Sequence, residues 1–309
     1  MNRALIGLML MVIIPAFSLP WNGSPGELYP QFALTTAGIS STGGVMSTVD
    51  GIYAMYANPA GLDLNSESGV IATYSHPFGS MGGSTIASVG LSSQMKVMYG
   101  SFGSIGFNAI YHSSGKMAGY EEDSEYTEDF RVTSTMVGFC WSKGLGGDIE
   151  FDVPPTSYIG FRMNIYTMKV GYLSDSGFGI DAGFIRVLPR TRIGFFIKNL
   201  SSPNIKLKEI SDTEPAKFSG GLSVNPLSNL WISGEILIDI DGQYSGALGG
   251  DFRVGSDTFF ISAGGGFDTD SNQPTIGVGV GVDSIELNTA FMFHKHLGLT
   301  TVADLIYYF

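Results

Sequence analysis

GGVMSTVDGIYAMYANPAGL, residues Gly43–Leu62, is the stretch on which the fold turns. Val49, Ile52, Tyr53 and Tyr56 recur at the spacing of one apolar helix face, which predicts a short helix over Thr48–Ala57. Asn58-Pro59 ends it, because the residue before a proline is pushed out of the helical region. Gly43-Gly44 on one side and Gly61 on the other let the backbone turn sharply or lie close against another wall. The segment predicts a compact, self-terminated plug, and nothing after it reads the same way.

From Glu67 onward the chain breaks into alternating runs bounded by Gly, Pro, Asn, Asp and Ser. There are about fourteen, each near the length a tilted strand needs to cross a bilayer. In 284–293, Ile285, Leu287, Thr289, Phe291 and Phe293 share one face, while Ser284, Glu286 and Asn288 share the other. In 274–282, Ile276, Val278, Val280 and Val282 oppose Gly277, Gly279 and Gly281. An apolar sheet face with no helix to cover it must meet a second sheet or lipid. Connections after even strands are short, at Leu188–Arg190, Pro226–Ser228, Val254–Ser256 and Asp283. Those after odd strands include the longer Ser114–Glu128 and Ser201–Pro215, the asymmetry of a transmembrane barrel with its N-terminus in the periplasm. Ser142–Thr156, a long periplasmic turn, and the irregular Ser93–Phe102 break that pattern.

Composition points the same way. Of 309 residues, 43 are glycine and only 14% are charged, which suits many short strands and not a helical enzyme. Aromatics at 12% are enough for girdles at two lipid interfaces. A net charge of −12 excludes nucleic acid as a partner, since phosphate binding needs clustered Lys and Arg. The single Cys140 excludes an internal disulfide and is expected as a small apolar wall residue. Arg3, the apolar run Ala4–Ile14 and the small-x-small Ala16-Phe17-Ser18 predict a signal peptide over 1–18. That run is too short to span a membrane as a helix. The expected organisation is a signal peptide (1–18), an N-terminal hatch (19–66) and a barrel (67–309).

Gly43-Gly44, Asp50, Tyr56 and the run Asn58-Pro59-Ala60-Gly61-Leu62 resemble the N-terminal hatch of FadL-like outer-membrane proteins, and the PorV/PorQ branch in particular. GFGIDAGFI at 177–185, and IKNL at 197–200 followed by Glu214-Pro215, are similar to that branch's later strands and loop. At the other end Leu305, Tyr307 and Phe309 share one strand face, and the terminal phenylalanine resembles the assembly signal of outer-membrane barrels. The resemblance implies a transmembrane antiparallel β-barrel whose lumen holds the hatch. It implies passage of small hydrophobic molecules, such as long-chain fatty acids, across a bacterial outer membrane. The PorV likeness implies instead an accessory or shuttle role in protein secretion, with the barrel as a docking scaffold. The implied partners are the lipid bilayer, the barrel assembly machinery and either a hydrophobic ligand or secretion-system proteins, with the chain a monomer.

Other chemistry is weaker. The carboxylates Glu121, Glu122, Asp123, Glu125, Glu128 and Asp129 match no calcium-loop spacing and are expected in a solvated outer loop. His294 and His296 share a strand face but lack a third ligand, so no metal is expected. Gly277-x-Gly279-x-Gly281 lacks the lysine and helix of a phosphate loop; glycines facing the lumen would make room for a plug. No nucleophile or metalloprotease motif is present, so neither catalysis nor a cofactor is expected. Arg162, Asp181, Lys198, Glu235, Asp251 and Arg253 would each cost about 2–4 kcal/mol facing mid-bilayer lipid, so they are expected in the lumen, bracing wall to plug. Gly103 and Gly106 mark a possible kink of the third strand near the hatch.

Overall fold

The computed structural model describes residues 36–65, 67–77, 84–97, 100–120, 126–147, 154–207, 210–213, 215–240, 242, 244–256, 258–268, 273–294 and 298–309. The predicted signal peptide and the start of the predicted hatch lie outside them. A short helix α1 (Ala37–Ser41) and two 3-10 helices, η1 (Gly51–Tyr56) and η2 (Pro59–Asp63), precede the strands. These are β1 (Gly69–His76), β2 (Thr85–Val97), β3 (Gly100–Ser113), β4 (Met117–Tyr120), β5 (Tyr126–Phe130), β6 (Val132–Leu145), β7 (Ser157–Val170), β8 (Leu173–Leu188) and β9 (Thr191–Ser201). There follow β10 (Asn204–Leu207), β11 (Ile210–Thr213), β12 (Lys217–Leu227), β13 (Leu230–Asp239), β14 (Tyr244–Gly255), β15 (Phe259–Asp268), β16 (Gln273–Val282), β17 (Ile285–His294) and β18 (Gly298–Tyr308).

Fourteen of these strands form one closed antiparallel barrel. Each pairs with its neighbour in sequence, and β1 seals against β18 from Gly69↔Tyr308 to His76↔Thr301. The pairs β4–β5 and β10–β11 form separate two-stranded hairpins inserted where the sequence shows its longest connections. Both stand at the end opposite the barrel's two termini. The tight turns sit at the terminal end, and Asp283 takes the left-handed conformation (φ 51°) that a two-residue hairpin turn requires.

Period-2 alternation sorts the side chains. Ile276, Val278, Val280 and Val282 stand exposed on the outside, while Asn288, Thr300 and Asp304 are buried within. This is a soluble protein's arrangement reversed, and lipid is the medium that suits it. Aromatic contacts gather towards the short-turn end of the outer face: Trp141 stacks on Phe161, donates its Nε1–H to the Phe102 carbonyl, and meets that ring edge-on. Leu305, Tyr307 and Phe309 also face outward.

The sequence misjudged three local features. Ser93–Val97 and Gly100–Phe102 are strand: β2 and β3 stay paired to Val97↔Gly100, and the irregularity narrows to one register shift between Met95↔Gly103 and Lys96↔Ser101, where Gly103 has φ 101°. β6 runs on to Leu145, consuming the start of the expected long turn, because the Asp63 carboxylate accepts the Gly144 N–H (2.8 Å). The helix expected over Thr48–Ala57 is the shorter η1, and Asn58-Pro59 begins another turn as well as ending the first. Pro59 takes the first helical position, where a missing N–H is harmless, and the Asn58 side chain accepts from Ala60 N (3.1 Å).

β9 carries the largest break in the wall. Asn199 adopts φ 56° and the pairing jumps between Ile180 and Ala182, with the Asp181 carboxylate accepting the Asn199 N–H (2.7 Å). Two outcomes test this architecture by equilibrium unfolding in lipid vesicles. Val278→Arg, on the outer face, is expected to lose about 2–4 kcal/mol. Asn199→Val is expected to lose about 1–2 kcal/mol while Asn199→Gly stays close to wild type.

Candidate functional site

The hatch occupies the short-turn half of the lumen, and the wall is cut to receive it. Inward-facing glycines stand where hatch backbone passes: Gly160 against Pro59-Ala60, Gly194 against the Ser47 carbonyl, Gly249 against the Thr42 carbonyl, Gly266 against Gly43. A Cβ at any of them would overlap the hatch. Gly43 and Gly44 both hold positive φ (74° and 83°), which turns the chain after α1 along this floor. Of the three glycines in β16, Gly277 makes room for hatch Ser41, while Gly279 and Gly281 make room for wall side chains Asn288 and Phe260. Gly61 meets the hatch's own Val49 carbonyl, and Gly106 meets Met55.

Polar side chains of the wall then fasten the hatch backbone. Glu235 on β13 accepts N–H bonds from Met46 (3.0 Å) and Ser47 (2.7 Å), and a bond from Ser219. Asp304 on β18 accepts from Ala37 (2.6 Å) and Gly38 (3.1 Å). Arg162 on β7 donates to the Met55 carbonyl (2.6 Å), and its Nε and Nη2 bind Asp181 on β8 at 2.7 and 2.6 Å. Asn164 adds a third donor to that carboxylate (2.7 Å). Arg162 and Asp181 are both fully buried. Burying an ion pair is costly unless donors fill the remaining lone pairs, which is what Asn164 and the Asn199 N–H do.

Asn58, in the middle of the hatch motif, donates to the carbonyls of Ser47 (2.5 Å), Phe195 (3.2 Å) and Phe184 (3.4 Å). Asp63 accepts from Ser104 (2.7 Å) and Gly144, and Ser142 donates to the Ala60 carbonyl (2.8 Å). Burial first, and nearby carboxylates second, push the Tyr53 hydroxyl well above its ordinary range. Tyr56 is raised mainly by burial too, so both stay neutral. Tyr53 accepts from Asn288 (2.7 Å); Ala60 and Leu62 pack inside.

The residues expected to brace the plug therefore divide into two groups. Arg162, Asp181 and Glu235 touch the hatch or one another, and Lys198 is buried and engaged. Asp251 and Arg253 lie lower, with hatch Asp50, around a cavity of about 320 Å³ at the short-turn end. There Asp50 pairs with Arg192 (2.9 Å), Arg192 lies over the Trp231 ring (4.2 Å), and Arg253 lies over Phe260 (3.3 Å). Asp304, Asp63 and Arg192 escaped the sequence reading. Asp304 was legible by the rule that placed Leu305, Tyr307 and Phe309 outside, since it alternates with them.

Above the hatch an apolar column runs up one side of the lumen, beside buried Ser75, Ser88 and Ser134. Ile86, Ile110, Met136, Tyr166 and Met168 form one buried cluster with hatch Met55 and Leu62. Ile205 of the β10 hairpin joins it from the long-loop end, and Cys140 is buried in the same cluster. Among the described residues no group of His, Cys, Asp and Glu could hold a metal ion. The acidic run 121–125 and His296 lie outside the described residues.

Two substitutions test the seat. Glu235→Ala leaves the Met46 and Ser47 N–H groups without their acceptor and should loosen the hatch by about 1–3 kcal/mol. Gly160→Val puts bulk where the hatch backbone lies and should expel it. In both, limited proteolysis should cut within 43–62 much faster than in wild type, while the barrel keeps its heat-modifiable mobility on gels.

No family model matches this chain, and no curated protein matches it in sequence. In three dimensions it aligns with the toluene transporter TbuX of Ralstonia pickettii at a TM-score of 0.62 and 12% identity, over 89% of this chain and 98% of that one. A FadL homologue of Pseudomonas aeruginosa aligns at 0.60 and 12% identity, over 92% and 99%. The toluene transporter TodX of P. putida aligns at 0.57 and 12% identity, over 89% and 98%. The chain is a FadL-like barrel in its fold.

Proposed function

We propose that this protein is an outer-membrane channel for small hydrophobic molecules, kept shut by its own N-terminal hatch. The observation that carries this reading is the apolar column running from Ile205 at the long-loop end, past Met136, Tyr166 and Met168, to Met55 on the hatch. A channel for ions or sugars needs a polar, water-filled lumen. A column of methionine, isoleucine and tyrosine offers an apolar solute a dry, adaptable surface. The likeness in fold to toluene transporters supports the same reading. The short-turn end faces the periplasm, the long loops face outward, and the chain works as a monomer. The assembly machinery inserts it by reading Leu305, Tyr307 and Phe309.

The test is initial uptake of labelled toluene by an outer-membrane host lacking its own hydrophobic-compound channels. The protein should raise uptake several-fold, and Met136→Gln with Met168→Gln should remove most of the gain while the barrel stays heat-modifiable. No gain over the empty host, together with secretion proteins co-purifying from detergent extracts, would overturn transport and support the PorV-like docking role.

A further inference from the structure

Where the hatch meets the foot of the apolar column, one row of the wall is built from glycine and asparagine. In register across five strands it runs Gly90 on β2, Asn108 on β3, Gly138 on β6, Asn164 on β7 and Gly179 on β8. These residues face inward, alternating with the exposed Val89, Phe107, Val137, Ile165 and Phe178. The next inward row is Ile110, Met136 and Tyr166, which belong to the column. Met55 and Tyr56 of the hatch take up the room at Gly90, and Tyr166 with Asn199 takes it up at Gly179. At Gly138 the nearest atoms are the side-chain oxygens of Asn108 and Asn164, which close on the same spot from either side.

Neither oxygen has a donor. The amide nitrogen of Asn108 donates to the Met55 carbonyl (3.3 Å) and that of Asn164 to the Asp181 carboxylate (2.7 Å). Both partners can only accept, so each amide must turn its nitrogen to them and its oxygen to Gly138. Asn108 is 3% exposed, Asn164 is fully buried, and both oxygens are without a hydrogen bond. A buried acceptor left bare is costly, and two that converge on one spot call for one shared donor. The chemistry of that donor is narrow. A carboxylate would be repelled by two carbonyl oxygens, and a hard cation takes roughly six or more oxygen ligands. An ammonium would be buried without a counter-ion, since the Asp181 carboxylate is already filled by Arg162, Asn164 and the Asn199 N–H. A neutral hydroxyl meets every condition.

We propose that Asn108 and Asn164 form a hydrogen-bonding subsite at the foot of the column, which holds the hydroxyl of a phenol. This rests on the transport reading above and names its substrate class: aromatic molecules that carry one neutral donor. The hydroxyl donates to the two oxygens as a three-centre bond. The ring stands among Met55, Met136 and Tyr166, where thioether sulfurs make favourable contacts with ring edges. An aliphatic alcohol brings the donor without those ring contacts. A hydrocarbon of the same shape seals both oxygens away from every donor, water included, and binds less tightly for it.

The experiment compares binding of 4-tert-butylphenol and of its isostere 4-tert-butyltoluene to the full chain in detergent, at about pH 7, where the phenol is neutral. Equilibrium dialysis serves, with binding to empty micelles subtracted. Wild type should hold the phenol about tenfold more tightly than the hydrocarbon. Asn108→Leu keeps the shape and removes one acceptor, and Gly138→Ala puts a methyl group where the oxygens converge. Each should lower the preference to about threefold or less while the barrel stays heat-modifiable. Should neither variant fold, the wild-type preference alone decides. Equal binding of the two compounds by wild type, or an undiminished preference in both folded variants, would overturn the subsite. Binding of neither compound by a protein that still raises toluene uptake would overturn the subsite alone. Binding of neither, with no toluene uptake, would overturn the transport reading as well.

Discussion

A backbone amide in hydrocarbon has no water to turn to, and that constraint governs everything else in this molecule. It demands that the last strand find the first, which β18 and β1 do along their whole shared length. Closure removes every free edge from the lipid zone, and leaves the oily faces of the strands pointing outward by geometry alone. The interior is then where all the polarity must go. The buried charged groups and the inward-facing glycines follow from that inversion.

The interior has two halves of different character. At the short-turn end, charged wall groups and hatch backbone satisfy one another, with a fully buried Arg162–Asp181 pair at the centre. Such a pair is weak evidence for stability in itself, yet strong evidence for fixed geometry when each remaining lone pair is filled. The same carboxylate also holds Asn199 in its left-handed turn, so one side chain joins the seat of the hatch to the break in β9. Towards the long-loop end a cluster of methionine, isoleucine and tyrosine lies beside buried Ser75, Ser88 and Ser134.

Much of this was legible in the chain. Alternation located each strand of the barrel, since a two-residue period survives any neighbour, and it placed Arg162, Asp181 and Glu235 inside. Glycine and proline marked the turns. What alternation cannot encode is pairing across distance: that Glu235 meets Met46 and Ser47, or that Asp63 extends β6 by holding Gly144. The hatch was least legible. Its conformation is imposed by the wall, so a local apolar spacing suggested one regular helix where there are two short 3-10 turns split by Asn58-Pro59. That Asp251 and Arg253 line a separate cavity follows from their depth, which sequence pattern does not carry.

The fasteners of the hatch share a property with a wider consequence. Glu235 and Asp304 grip amide hydrogens, Arg162 and Ser142 grip carbonyl oxygens, and Gly160, Gly194 and Gly249 lie against main chain. None of these contacts asks what side chain the hatch residue bears. Over those contacts the stopper is recognised by its path through space and not by its spelling, whereas Asn58, Asp63 and Asp50 are held by their own side chains. Drift in the other letters leaves the route intact, and the cork still fits the bottle.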